Sequence, residues 1–316
     1  MYYSIRHVTT FHYSEPISES VMEARMQPRS EGVQRCLNFS LRSVPKAQVM
    51  AYKDYLGNNI HHFDIPGKHQ KLSVIAEAVV EVKSSPALPE SLSPSAWEAL
   101  DEQARSEEFF DFLIPSTIAH PTNLLHDLAE ELRIERRGDP MSLLRELTRM
   151  MYDTFEYAPE STQVDSPIDD ALTDRKGVCQ DYTHIMIALV RELGIPCRYI
   201  SGYLFHRGNG SGERSAQDAT HAWVEAWLPE LGWIGFDPTN NLICDDRHIR
   251  VAIGRDYADV PPTRGVFKGT ADTKLEVAVK VEQTDDLPST EETPLPDTVT
   301  HEEVIPYSQA QMQQQQ

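Results

Sequence analysis

The sequence predicts an α+β protein in which a sheet-rich part comes first. Three observations carry this reading. Residues 1–82 alternate apolar and polar positions or are β-branched and aromatic, as in "YYSIRHVTTFHYS" and "KLSVIAEAVVEVKS". From residue 95 apolar positions recur three and four apart, as in "PTNLLHDLAEELRIERR", which is a helical period. After residue 196 the period of two returns in "CRYISGYLF", "HAWVEAWLP" and "WIGFDPT". Three prolines within "SSPALPESLSP" mark a break between the first two regimes. The expected organisation is an N-terminal antiparallel β-domain (1–83), a linker (84–94), a second, helix-and-sheet domain (95–282) and a tail (283–316). A chain of 316 residues is long enough for two such cores.

Each element has a local cause. "LNFSLRSVPKAQVMAYKDY" reads as strand, and "LGNNIHHFDI" carries a Gly-Asn turn into another. His61 and His62 follow that turn and are expected on a solvated hairpin rather than as a ligand pair. Three helices are expected next, over "SAWEALDEQARSEEFFDFL", "PTNLLHDLAEELRIERR" and "DPMSLLRELTRMMYDTFEYA". In the last, Asp139 is placed to cap and Pro140 to occupy the first helical position. Within "RKGVCQDYTHIMIALVRELGIPCRYISGYL" (175–204), Tyr182, Ile185, Met186, Leu189, Val190 and Leu193 form one apolar stripe. Gly194 ends that helix, and Pro196 prevents its return. A strand (197–205), a polar glycine-rich loop (206–220) and two more strands joined at "ELG" follow.

Composition excludes several classes of function. The net charge is −20, and residues 283–316 hold seven of the acids and no Lys or Arg, leaving 42 acids against 29 bases elsewhere. An acidic body predicts neither a nucleic-acid nor a membrane partner, since both attract basic patches. The tail, with prolines, acids and a glutamine run, is expected to be disordered. The first twenty residues show neither a basic cap nor an apolar run, and no window has the roughly 18 apolar residues of a membrane span. A cytoplasmic protein is expected. Cys36, Cys179, Cys197 and Cys244 are too few and too scattered for a disulfide framework, so each is a buried small side chain or a reactive thiol.

Cys179 differs from the others in its setting. It stands at the start of the 179–193 helix, where unpaired N–H groups and the helix dipole favour a thiolate and could hold an oxyanion beside it. Gly177 would let the chain turn sharply there and keep the approach open. A thiol nucleophile needs a base, and the base needs an orienting group. His221 opens one of the later strands and Asp237 ends the next. If the hairpin pairs Trp223 with Asp237, then His221 and Asp237 are diagonal neighbours on one face; a one-residue slip would separate them.

"GVCQDYTHIMIALVRELGIPCRYISGY" and "DATHAWVEAWLPELGWIGFDPTN" resemble the transglutaminase-like superfamily, whose triad runs Cys, His, Asp along the chain. "HIRVAIGRDYADVPPTRGVFKG" (248–269) is similar to a bacterial subgroup with an N-terminal β-domain, described as candidate cysteine proteases. The resemblance covers residues 1 to about 280. It implies a papain-like or transglutaminase-like α+β core, with Cys179 as nucleophile, His221 as base and Asp237 as orienting group. It also implies a peptide or protein substrate and no cofactor, with hydrolysis as the expected outcome. Transfer to an amine and a non-catalytic peptide-binding module are the alternatives. Animal members use calcium, but no EF-hand pattern occurs here.

The remaining candidates have simpler readings. No second cysteine or fourth ligand stands at zinc spacing, so no metal is expected. Asp181 suits the first helical turn, and His184 is expected to pack or cap. Trp223, Trp227 and Trp233 are expected in the core or a pocket wall. The resemblance places Tyr157 at the cleft without a role. Arg255 and Asp256 could pair with each other or rim the pocket.

Overall fold

The computed structural model describes residues 1–159, 161–162, 166–207, 213–217 and 219–284. The expected tail lies outside these residues except for Gln283 and Thr284, and 208–212 and 218 of the polar loop lie outside them too. Six strands come first: β1 (Tyr2–Ile17), β2 (Glu19–Ala24), β3 (Gln34–Val44), β4 (Met50–Lys53), β5 (Asn59–Ile65) and β6 (His69–Val82). Helices α1 (Ala96–Gln103), α2 (Phe110–Leu113), α3 (Asn123–Glu131) and α4 (Pro140–Thr154) follow. Next come β7 (Glu156–Tyr157), α5 (Ile168–Asp174), β8 (Lys176–Gly177) and α6 (Cys179–Glu192). The chain then runs through β9 (Cys197–Leu204), β10 (His221–Leu228), β11 (Gly232–Asp237), β12 (Leu242–Ile243), β13 (His248–Gly254), β14 (Thr263–Lys268) and β15 (Thr273–Thr284). No helix among the described residues is long and apolar enough to cross a membrane.

The mixed class and its antiparallel sheets agree with the sequence, and three details differ. The helix expected over 95–113 is broken. Ser106 is extended, and a short 3-10 turn (Glu107–Phe109) precedes α2. The break aims Phe109 and Phe112 at Trp233 and brings Phe109 against Trp227. Helix α5 was missed because its seven residues are too few to show a period. The N-terminal part is not contiguous in sequence. β14 pairs with β2 and β15 with β1, giving sheets ordered β14-β2-β5-β4 and β15-β1-β6-β3. Residues 263–282, expected with the second domain, and the first two of the expected tail return because Leu275, Val277 and Val279 alternate inward like a β1 neighbour.

The central sheet is antiparallel in the order β12-β11-β10-β9-β13. Strand β10 is covered on both faces. Ala222, Val224, Ala226 and Leu228 join the α6 stripe in one core, while Trp223 packs with Ile200 and Ile253 in another. The edge strand β13 is closed by side-chain amides from the N-terminal part. Gln34 exchanges two bonds with the Arg250 backbone, both 2.8 Å, and Asn58 does the same with Ile253 at 2.8 Å. These amides satisfy backbone groups that an open edge would leave unpaired. Asp139 caps α4 as expected, accepting from Met141 and Ser142, and it also accepts from the Leu92 N–H of the linker.

Ending the chain at residue 272 removes β15 and three inward side chains, a loss of at least about 4 kcal/mol of burial. The expected result is a large fall in the urea unfolding midpoint. An unchanged midpoint would show that β1 does not need this partner.

Candidate active site

Cys179 is the first residue of α6, and the residues before it explain its placement. The Asp181 carboxylate, in the first turn, accepts the Val178 N–H at 2.8 Å and the Thr162 hydroxyl at 2.6 Å. This is half of a capping box, since Val178 has no side-chain acceptor to complete it. Gly177 is explained by proximity rather than by a sharp turn: a Cβ there would stand 2.8 Å from the Asp181 Cβ. Burial pushes the Asp181 carboxyl up to about 6 against the pull of those hydrogen bonds.

The β10–β11 hairpin pairs Val224 with Phe236, and the same register continued puts Trp223 opposite Asp237. His221 and Asp237 therefore share a face, and His221 Nε2 lies 2.7 Å from Asp237 Oδ2. Both are almost wholly buried, at 3% and 0% exposure. Asp237 Oδ1 accepts the N–H groups of Thr239 and Asn240 at 3.0 and 3.2 Å. Its Oδ2 also accepts the Asn240 side-chain amide at 2.8 Å. Burial opposes ionisation of Asp237, but the adjoining imidazoles and their hydrogen bonds hold it far below the usual carboxylate range. Burial likewise opposes the His221 cation, and the Asp237 charge outweighs it, raising the imidazole to about 9.

The Cys179 thiol also helps to raise the imidazole. Among the described residues Nδ1, the ring nitrogen that does not face Asp237, has no hydrogen-bond partner, which leaves it to Cys179 as the group beside the ring. Nucleophile and base pairs are often longer than a formed bond before substrate enters. Cys179 itself is 6% exposed. The phenols of Tyr157, Tyr199 and Tyr257 are all within electrostatic range of its sulfur, and all are pushed up, first by burial and then by it. The Tyr157 hydroxyl takes the Ala216 N–H, and Asn240 Oδ1 takes those of Arg214 and Ser215, which pins this loop beside the site.

Other expectations sort by burial. His184 packs on the Tyr199 ring and accepts the Tyr257 N–H at 3.1 Å; burial drives it down to about 4, so it is neutral. Cys197 lies in the core, and burial raises its thiol to about 11. Trp227 and Trp233 meet edge to face beside Phe109, and Trp223 lies over Gly202, where a Cβ would overlap its ring. Arg255 pairs with Asp259 rather than Asp256, whose carboxylate instead accepts the N–H groups of Ile118 and Ala258. His61 is buried against Phe39, contrary to a solvated hairpin, because inward alternation along β5 reaches it.

Two residues were not singled out from sequence. Asn240 could have been found as the polar residue three beyond Asp237 in a turn. His248 lies 3.3 Å from Asp237 Oδ2 and opens β13, a strand placed beside the site only by its pairing with β9. Among the described residues, His221, Asp237 and His248 form the one trio with donor atoms close enough for a cation. Those atoms already face one another through hydrogen bonds. A cavity of about 700 Å³ lies behind them, lined by Trp223, Glu225, Cys244, Asp245 and His248 but not by Cys179.

Known proteins resemble this chain in sequence and fold. Residues 127–238 match the transglutaminase-like superfamily, and residues 3–81 match the bacterial transglutaminase-like N-terminal region. An uncharacterized protein of Mycobacterium leprae is 34% identical over 275 residues, covering 87% of this chain and 96% of that protein. A crystal structure of a "putative cysteine protease from Cytophaga hutchinsonii" superposes with a TM-score of 0.69 at 23% identity, over 91% of this chain and 93% of that one. A protein-glutamine gamma-glutamyltransferase of Pseudomonas aeruginosa is 39% identical over 118 residues, which are 35% of this chain and 17% of that protein. The fold and these matches define an enzyme of the transglutaminase-like kind. The chain belongs to the transglutaminase-like superfamily.

The folded Asp181 holds its proton up to about pH 6, whereas the unfolded group releases it near 3.8. The folded state thus binds more protons in that window, and stability from this group rises as pH falls from about 6 towards 4. Asp181→Asn keeps an acceptor for the Val178 N–H and cannot titrate. Urea denaturation should therefore show stability falling more, or rising less, from pH 6 to pH 4 in the variant than in the wild type, and an identical slope would refute the assignment.

Proposed function

We propose that this chain is a thiol-dependent acyl-transfer enzyme acting on amide or peptide bonds of a peptide or protein, with water as its main acceptor. Cys179 is the nucleophile, His221 the base and acid, and Asp237 the group that orients His221. The observation that carries this reading is the buried 2.7 Å bond from His221 Nε2 to Asp237, with the other ring nitrogen left to a cysteine at a helix start. In the reaction, the thiolate attacks the carbonyl carbon, and the oxyanion lies against first-turn N–H groups that have no acceptor within the helix. The imidazolium gives its proton to the leaving amine as the C–N bond breaks, leaving a thioester. His221 then takes a proton from water, whose oxygen attacks the thioester. The acid leaves and the thiol is restored. No step calls for a cofactor. The four free cysteines support the expected cytoplasmic setting.

Transfer to an amine is the second reading, and one feature favours it. Tyr157, Tyr199 and Tyr257 shield the sulfur, and a shielded thioester lives longer against water. The partial match to a gamma-glutamyltransferase adds weight. Water is still favoured, because the body is acidic and would keep an approaching lysine protonated.

Iodoacetamide at pH 6 should modify Cys179 ahead of Cys36 and Cys197, whose thiols burial raises to about 11, and of Cys244, which burial also holds well above the ordinary thiol value. His221→Ala should abolish that preference and slow turnover of any acyl donor about 10²–10⁴-fold. Equal labelling of all four thiols would sink the reading. Free acid should form faster than a millimolar primary amine is incorporated; the reverse order would make the enzyme a transferase.

A further inference from the structure

His248 meets the same oxygen of Asp237 as His221 does. Its Nε2 is 3.3 Å from Asp237 Oδ2, the oxygen that His221 Nε2 meets at 2.7 Å. On its other side, the Asp245 N–H donates to His248 Nδ1 at 3.2 Å. A backbone donor at Nδ1 leaves the proton of the neutral ring on Nε2, aimed at Asp237. The two imidazoles thus compete for one carboxylate oxygen.

Orientation of Asp237 does not depend on His248. The Thr239 and Asn240 N–H groups and the Asn240 amide already fix the carboxylate. What His248 adds is a second donor at the oxygen that faces His221. We propose that His248 is a positioning residue of this site, dividing the charge of Asp237 between two imidazoles so that His221 can release its proton. This inference rests on the triad reading above. With the whole carboxylate charge on His221, its imidazolium would be held too firmly, making it a poor acid towards a leaving amine and a poor base towards water at neutral pH.

The surroundings of His248 bear on its own charge. Asp237 comes from β11, Asp245 from the preceding loop, and the His221 ring lies 6.3 Å away on β10. Arg247 is held by Asp245 and Glu213, while Arg250 meets Glu225 at 3.2 Å. Asp246, Arg145 and Arg207 lie further round the cavity that His248 lines. Burial opposes a cation at His248, and the two nearest carboxylates outweigh it and raise the ring. Protonation would then place a proton on Nδ1 towards the Asp245 carboxylate, 3.3 Å away, leaving the Nε2 donation to Asp237 in place.

The test compares His248→Gln with His248→Asn. The Gln amide reaches the position of Nε2 and can still donate to Asp237, whereas the shorter Asn amide cannot. Both are polar and similar in size, so a folding defect common to both is separable from a loss of donation. The readout is the pH dependence of Cys179 alkylation by iodoacetate, an anion drawn by the imidazolium. In the wild type the rate should fall as His221 loses its proton near pH 9. His248→Asn should move that limb upward by about half a unit or more, and His248→Gln should keep it with the wild type. A merely packing role would scale the rate at all pH values and leave the limb in place. If the wild type has this limb and both variants leave it unmoved, the proposal is wrong while the triad reading stands. If the wild type and His221→Ala share one ordinary thiol profile, the triad reading fails and the proposal falls with it.

Discussion

The structure around the site is organised by one constraint: a carboxylate and an imidazole are bonded to each other with almost no access to water. Removing two such groups from solvent costs several kcal/mol, and their mutual attraction offsets that only if the remaining lone pairs and protons are satisfied. Asp237 meets the condition with two backbone N–H groups, the Asn240 amide and two imidazoles. The donors come from three local features. The β10–β11 register supplies His221, the turn after β11 supplies three donors, and the start of β13 supplies His248. Asn240 also reaches Ser215, so the loop beside the site depends on the same carboxylate.

The helix that carries Cys179 meets the converse requirement. It is buried from its first turn onward, yet the N–H groups of that turn have no acceptor within the helix. Asp181 resolves this by taking the Val178 N–H from within the turn, and Gly177 leaves room for it. The first turn is thereby fixed without covering the sulfur with a charged side chain. The phenols around Cys179 have burial-raised pKa values and stay neutral, so they shield the sulfur without adding charge beside it.

The N-terminal part acts on the site through the edge it covers. Gln34 and Asn58 pair with the backbone of β13 as a neighbouring strand would. That contact holds the strand whose first residue is His248. The return of β14 and β15 to the N-terminal sheets ties this part down from both ends of the chain. Its contribution is therefore mechanical as far as the described residues go: it supplies a fixed edge and one wall of the cavity, through Val33, Gln34 and Val82.

The sequence by itself determined what depends on short range. The apolar stripe from Tyr182 to Leu193, the Asp139 cap, the Gly194 stop and the alternation along β9 to β11 follow from periods and caps that neighbouring residues impose. Cys179 was legible because a helix start is a local property, and His221 with Asp237 because a hairpin register brings them to one face. Tertiary structure decided the rest. Nothing near His248 in sequence marks it out, because it reaches Asp237 only after β13 pairs with β9 across the sheet. His61 was misread for a similar reason: its partner Phe39 stands on β3 in the other N-terminal sheet, so packing between sheets buries it, whereas Arg255 meets Asp259 only four residues further on. The passage of residues 263–284 back to the first sheets was equally invisible, since an alternating strand states which face it buries but not which strand it will join.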